Sequence, residues 1–278
     1  MASRTAPAHS VEMSAPGRPS PLTTHGHAAR EQRCGGWTLT QAVYASESRY
    51  PPHSHERPYL CLVLAGGFRE EHRGRTEVAE AGSVVVMPAG QAHTDLIAPG
   101  GARSFVLTFG DGHGELRPPG AWRVEQGGPV TRAMLRILSA ARQGWLDEAT
   151  VEEALLHAAD TLAPPPRAAT CTAVAGRARE YLAAHRDEPL LLGDVAEALG
   201  VDRAYLARAF RRAFGCTMGE YRRLLRLQRA MGMVAEGTPL ARAAVAAGYA
   251  DQSHLSRAFR GDLGVTAAAY RGLSASPA

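Results

Sequence analysis

The sequence has 278 residues, a formal net charge of +4 and a pI near 9.1, a length that accommodates about two domains with separate cores. Four scattered cysteines, Cys34, Cys61, Cys171 and Cys216, form no C-x-x-C pair, which argues against a disulfide framework or a zinc ribbon and for a reducing cytoplasm. The N-terminus lacks the continuous apolar core of a signal peptide, and the longest apolar runs, Tyr59–Ala65 and Val84–Met87, are far too short to cross a bilayer.

In chain order, residues 1–33 are rich in Ala, Pro, Ser, Thr, Gly and His and read as a disordered tail, because they bury too little apolar surface to offset ordering. Short β-runs follow at Thr38–Tyr44, Tyr59–Leu64, Phe68–Arg73, Ser83–Met87 and Ser104–Phe109. Gly- and Pro-rich turns separate them, predicting an antiparallel sandwich or barrel. After Pro129 the period changes. Met134, Leu138, Ala141 and Trp145, then Val151, Leu155, Ala158 and Leu162, predict two amphipathic helices over 130–162 joined near Gly144. Their apolar stripe serves either a homodimer contact or packing on the chain's own barrel. Pro164-Pro165-Pro166 stops the second helix and opens a linker over 164–172. From 173 to 272 the chain reads as about seven helices, and 273–278 as a flexible tail. The basic excess lies here: residues 173–272 hold 15 arginines against 10 acidic residues, a net of +5, as a nucleic-acid partner requires.

Within that region the chain repeats itself. Leu206-Ala207-Arg208-Ala209-Phe210-Arg211 returns as Leu255-Ser256-Arg257-Ala258-Phe259-Arg260 at an offset of 49 residues. Each copy follows an Ala-x-x-x-Gly, Ala196 to Gly200 and Ala244 to Gly248, at an offset of 48. A small residue for close helix crossing, a turn glycine and an arginine-bearing helix describe a helix-turn-helix, present twice. Asp202 is typed as the N-cap of the first recognition helix. Leu206 and Phe210, and then Leu255 and Phe259, are the inward anchors. Arg203, Ala204, Ala207, Arg208 and Arg211 remain for the outer face of the first unit, and Gln252, Ser253, His254, Ser256 and Arg257 for that of the second. Between the units a helix over about 219–236 measures about 27 Å, close to the roughly 34 Å between successive major-groove faces. Its Arg222, Arg223 and Arg229 read as a solvated or phosphate-facing surface. For Arg208 and Arg257 a buried ion pair within a helical bundle is the competing reading.

The motifs Leu192-x-x-Val195-Ala196, Tyr205-Leu206-x-Arg208-x-Phe210-Arg211-x-x-Phe214-Gly215, Tyr221-Arg222-x-x-x-Arg226-Leu227-x-x-Ala230 and Ala247-Gly248-Tyr249-x-Asp251-Gln252-Ser253-His254-Leu255-Ser256-Arg257-x-Phe259 lie between Pro189 and Arg271. That stretch resembles the DNA-binding domain of the AraC/XylS family of transcriptional regulators. The resemblance implies that Ala204, Ala207 and Arg208, and Gln252, Ser253, His254 and Arg257, face the grooves of double-stranded promoter DNA. It also implies RNA polymerase as a partner if the protein activates. Ala267, Ala243-Ala244-Val245, Tyr249 and Leu255 depart from the family's usual residues and predict looser packing in the second unit.

In the N-terminal half, Pro51-Pro52-His53-Ser54-His55 precedes a β-run, and Gly82-x5-Pro88-x-Gly90-x-x-His93 follows. This pair of motifs resembles those of the cupin barrel. The resemblance implies that His53, His55 and His93 point into the barrel, as ligands of a divalent metal such as Zn, Ni or Fe(II), as an effector pocket, or as the polar lining of a metal-free pocket. The glutamate of metal-binding cupins falls at Tyr59 or Leu60 here, Glu56 has the wrong parity, and Glu70, Glu71 and Asp95 are the available substitutes. No cofactor is required for this reading.

The expected fold class is α+β. It comprises an N-terminal cupin-like antiparallel β-barrel with an appended helix pair (34–163), then an all-α domain (173–272) of two helix-turn-helix units joined by a linker helix. The expected function is a sequence-specific, effector-responsive transcriptional regulator that binds two successive major grooves. The alternatives are a metal-dependent cupin enzyme with an accessory helical domain and an architectural DNA binder without an effector.

Overall fold

The computed structural model describes residues 27–110, 119–162, 173–186, 188 and 190–275. The N-terminal half is one bent antiparallel sheet of eight strands: β1 (His27–Cys34), β2 (Trp37–Tyr44), β3 (Arg49–His53), β4 (Tyr59–His72), β5 (Arg75–Glu80), β6 (Ser83–Met87), β7 (His93–Phe109) and β8 (Arg123–Gln126). The order is β1-β2-β7-β4-β6-β8, with β3 also on β7 and β5 also on β4. Both faces are covered, so the central strands read as unbroken apolar runs rather than an alternation. Leu60, Leu62, Leu64, Val84, Val86, Phe105 and Leu107 join one core, while Cys61, Val63, Val85, Met87, Val106, Phe68 and Trp122 join the other. This is the cupin-like arrangement.

Several boundaries differ from the sequence reading. Residues 27–33, expected in the tail, pair with β2 through the Gly35-Gly36 turn to form an edge strand. Arg30, Glu31 and Arg33 are not fully buried, and an edge strand is held by backbone pairing that hydropathy does not report. The runs Tyr59–Leu64 and Phe68–Arg73 are one strand, β4, bent by two register shifts around Ala65 and Gly66. Gly66 has φ 65°, and a Cβ there would meet the Gly101 carbonyl oxygen at 2.0 Å, so two backbones cross where only glycine fits. β3 holds Pro51 and Pro52 and is paired irregularly between Tyr50 and His53, as proline in a sheet requires. The expected linker 164–172, residues 1–26 and 276–278 lie outside the described residues. Residues 273 and 274 are not a tail: Leu273 and Ser274 are buried at the end of the last helix.

The helix pair is α1 (Pro129–Gln143), closed by the left-handed Gly144, and α2 (Glu148–Leu156), followed by the short α3 (Ala159–Leu162). Met134, Leu138, Ala141, Val151, Leu155, Ala158 and Leu162 are all buried in the chain's own core, whereas Trp145 is 51% exposed. Of the two readings of the stripe, packing on the chain itself is the one the structure shows.

The C-terminal half holds α4 (Ala173–Ala184), α5 (Leu192–Ala198), α6 (Arg203–Phe214), α7 (Met218–Ala235), α8 (Leu240–Ala246), α9 (Gln252–Ala258) and α10 (Ala267–Ser274), with a π-helical turn Phe259–Leu263 continuing α9. α4, α5, α6 and the start of α7 enclose their own core around Leu206, Phe210 and Tyr221. The end of α7 and everything after it share a core with the sheet and α1. Ala243, Ala244, Tyr249, Leu255 and Ala267, expected to loosen the second unit, are all buried in the core this unit shares with the sheet and α1, whereas Val245 is 70% exposed. Polar contacts pin the same junction: Gln228 donates to Gln126 (2.7 Å) and Ser83 (3.1 Å), and Arg103 donates to the Ser274 carbonyl (2.6 Å).

The hydroxyl of Tyr270, a fully buried residue, donates to the Leu64 carbonyl at 2.7 Å across this junction. Tyr270→Phe strands that buried carbonyl, and a loss of about 1–3 kcal/mol in chemical denaturation is expected. An unchanged midpoint would mean that the two halves are not docked this way.

Candidate nucleic-acid interface and effector pocket

The two helix-turn-helix units are built by the same backbone bonds. In the first, α5 turns into α6 with Val201 N–H donating to Ala196 O at 3.0 Å; in the second, α8 turns into α9 with Tyr249 N–H donating to Ala244 O at 2.9 Å. Both are the bond of a glycine-terminated helix end, with Gly200 at φ 65° and Gly248 at φ 77°. Each recognition helix is then capped by an aspartate. Asp202 accepts from Tyr205 N–H at 2.8 Å and Asp251 from His254 N–H at 2.7 Å. The second turn carries one extra residue, Ala250, which accounts for repeat offsets of 48 and 49.

The anchors Leu206, Phe210, Leu255 and Phe259 are fully buried. Arg203, Ala204, Arg208 and Arg211 are exposed on α6, with Ala207 half-buried; Gln252, Ser253, His254 and Arg257 are exposed on α9, with Ser256 half-buried. Arg208 and Arg257 are therefore not buried ion-pair residues. The Ser256 hydroxyl donates to the Gln252 carbonyl within α9 at 2.8 Å, so it is engaged with its own helix.

α7 opens with a capping box between Thr217 and Glu220. The structure shows a role for its arginines that the sequence reading missed. Arg222 and Arg226, one turn apart on one face, clasp different units. Arg222 donates to the carbonyls of Glu188 (2.6 Å) and Leu190, just before α5, whereas Arg226 donates to Gly248 O in the second turn (3.2 Å). The Arg226 guanidinium also lies 5.5 Å from the centre of the Tyr249 ring, and that ring meets His254 edge-on at 5.1 Å. A helix arginine thus braces, through one aromatic ring, a side chain at the tip of α9. The i, i+4 spacing was the available signal.

Inside the sheet the three histidines do converge. His53 on β3 pairs with His93 on β7, and Glu70 on β4 pairs with Asp95 on β7. The period of two places His93 and Asp95 on one face. Ring centres of His53 and His93 are 4.2 Å apart, and His55 lies 5.1 and 5.3 Å from them. Asp95 Oδ2 stands 3.7 Å from His53 Nε2 and 3.8 Å from His93 Nε2. Of the substitutes for the cupin glutamate, Glu70 and Asp95 reach this cluster and Glu71 is exposed. Burial pushes the Glu70 carboxyl well above the usual range, helped by the Asp95 charge and opposed by the hydrogen bond from Trp122 Nε1. Burial likewise lifts Asp95 to about 7, and the Cys61 thiol to about 12. His93 and Glu70 are buried and His53, His55 and Asp95 partly so, and these imidazole and carboxylate donors are of the kind that hold borderline divalent metals. The donor set fits such an ion.

A family model described as an AraC-like ligand binding domain matches residues 39–159, and one described as a helix-turn-helix domain matches residues 195–272. The chain belongs to the AraC family of transcriptional regulators. Among solved structures it is similar to the C-terminal domain of AraT, a response regulator from Geobacillus stearothermophilus (28% identity over 37% of this chain and 87% of that one, TM-score 0.34). It is similar also to an AraC-type transcriptional regulator from Chromobacterium violaceum (27% identity, 38% and 95% covered, TM-score 0.36). ToxT from Vibrio cholerae O395 aligns over 87% of this chain and 99% of its own, at 10% identity and TM-score 0.39. No curated protein gives a significant match to the sequence.

As an AraC-type regulator, the chain binds DNA through its C-terminal domain and carries a ligand-binding domain in the sheet. Among the described residues no helix is long and apolar enough to cross a membrane.

The arginine clasp has a direct consequence. Arg226→Ala is expected to broaden the spacing between the two boxes recovered when the full chain selects duplexes from a randomised library, with Arg226→Lys narrowing it again. Recovery of one sharp spacing by the alanine variant would show that the clasp does not set the distance between units.

Proposed function

We propose that this AraC-type regulator seats α6 and α9 in two successive major grooves of promoter DNA, with the 18-residue α7 as the spacer. The supporting observation is that both units share one turn geometry and one aspartate cap while turning unlike side chains outward. Arg208 and Arg257 are placed to grip guanine O6 and N7. Ala204 and Ala207 offer methyl contacts only. Gln252, Ser253 and His254 supply varied donors and acceptors at the tip of α9, so the second unit reads more of the sequence than the first. Arg203 and Arg211 serve the phosphates, and Ser256 lies at the edge of the same surface.

In the same reading the sheet is a cytoplasmic effector sensor rather than an enzyme, with His53, His55 and His93 lining the pocket the effector enters. Fusion of that pocket to two DNA-reading units supports sensing over turnover. An activating role brings RNA polymerase as a partner. A homodimer would use surfaces other than the buried α1 stripe; Trp145 and Leu156 are large apolar side chains left exposed beside it.

Arg257→Ala is the test. Against a duplex selected by the wild-type chain, anisotropy titration is expected to show a loss of about 1–3 kcal/mol and relaxed preference at one base pair. Wild-type affinity should fall steeply with salt as phosphate contacts release counterions. Undiminished affinity and preference in the variant would contradict the assignment of α9 as a base reader.

A further inference from the structure

We infer that Arg179 of α4 is the positioning residue of the first reading unit. Clamped to the buried Glu77 of the sheet, it holds the C-terminal end of α6 and passes the state of the histidine pocket to that helix. This rests on the reading of the sheet as the effector-sensing half, and it names the regulation of that half.

Glu77 lies on β5 with 7% of its surface exposed, and a carboxylate so buried needs a partner. Arg179 meets it with a fork: Nη1 stands 3.1 Å from Oε2, and Nη2 donates to Oε1 at 3.2 Å. The other cation, Arg75, reaches Oε1 at 3.4 Å from a side chain that is 69% exposed, and water screens such a pair. Arg179 is therefore the principal partner, and separating the two leaves a buried charge uncompensated. The same guanidinium lies 5.7 Å from the centre of the Phe214 ring. Phe214 is the last residue of α6, and it packs on the anchor Phe210 at 4.7 Å and on Tyr221 of α7 at 6.2 Å. One side chain thus joins the sheet to the helix that carries Arg208.

Glu77 is in turn coupled to the pocket. It sits directly across the ladder from Glu70, so the two side chains share one face with Cβ atoms about 5 Å apart. Acids placed side by side in this way repel, and each is held by a donor of its own: Glu70 by the Trp122 indole N–H, Glu77 by Arg179. The Trp122 ring also carries the Arg75 guanidinium, 5.6 Å from its centre, and Arg75 pairs with Glu77. Glu70 borders the histidines, with Asp95 as its cross-strand neighbour on β7. A ligand that alters the charge or the hydrogen bond of Glu70 therefore acts on Glu77 by two routes, through the ladder and through Trp122 with Arg75.

The test uses the full chain on a duplex selected by the wild type, with the protection of each box titrated by hydroxyl-radical footprinting. Arg179→Ala and Glu77→Gln are each expected to weaken the α6 box at least about fivefold and to leave the α9 box within about twofold of the wild type. The double variant is expected to be no weaker than Arg179→Ala, because both changes remove one interaction. Arg179→Lys is expected to restore part of the loss. Arg186→Ala, at the half-exposed pair with Glu80, is expected to leave both boxes unchanged. Transmission is read from the pocket side: Glu70→Gln is expected to shift the α6 box in the wild-type background and not in Arg179→Ala. Reciprocity then requires that duplex binding change the Trp122 emission, a change missing from Trp122→Phe and from Arg179→Ala. Circular-dichroism melting confirms the fold of each variant, and Glu77→Gln carries the test should Arg179→Ala fail to fold. An α6 box as strong as the wild type's, or stronger, overturns the positioning role. Glu70→Gln acting equally in both backgrounds overturns the transmission. No effect of Glu70→Gln on either box, with Arg179→Ala still weak at α6, overturns the sensing reading and keeps the positioning role.

Discussion

The arrangement of this molecule depends on one shared apolar face. Leu60, Leu62, Leu64, Val84, Val86, Phe105 and Leu107 cover the outside of the sheet, and they are buried jointly by α1 and by the second reading unit. The hydrophobic effect is indifferent to domain labels: the sheet must cover this face, and the end of α7 with α8 to α10 does part of that. The second unit is consequently an extension of the sensor's core. The first keeps a separate core and touches the sheet through ion pairs, Arg179 to Glu77 at 3.1 Å and Arg186 to Glu80 at 2.9 Å.

This asymmetry gives the two units different mechanical standing. A change inside the sheet reaches α9 through packed side chains, which have few alternative arrangements. It reaches α4 through two charge pairs, of which Arg186–Glu80 is half-exposed and worth little, while Arg179 holds the buried Glu77 carboxylate. The hairpin bearing those acids is the one whose Glu70, directly across the ladder from Glu77, borders the histidine pocket. The arginine pair of α7 then relates one unit to the other, since Arg222 and Arg226 each hold backbone carbonyls rather than side chains.

Much of this was legible in the sequence, and the exceptions share a cause. The duplicated helix was visible because its anchors and turn glycines are local and recur, and the aspartate cap of α6 is a local signal too. The histidine convergence was visible through the resemblance to the cupin motifs; strand parity does not explain it, since β3 ends at His53 and His55 lies in the loop that follows. What the sequence did not show is whatever a distant partner decides. β1 is held by its neighbour's backbone, so its polar side chains read as a tail. The stripe of α1 looked equally suited to a second copy and to its own sheet, since periodicity marks a buried face without naming what covers it. Asp95 was one of three candidates until the pairing of β7 with β3 and β4 put it opposite the rings. Arg222 read as surface because its partners, the carbonyls of Glu188 and Leu190, lie outside its own helix.

The central claim is that one chain grips DNA at two places set by a rigid spacer. Hydroxyl-radical footprinting of the full chain on a selected duplex tests it most directly. The account predicts two protected patches on one face of the duplex, about one helical turn, or 10–10.5 base pairs, apart. A single patch, or two at varying separations, would contradict it.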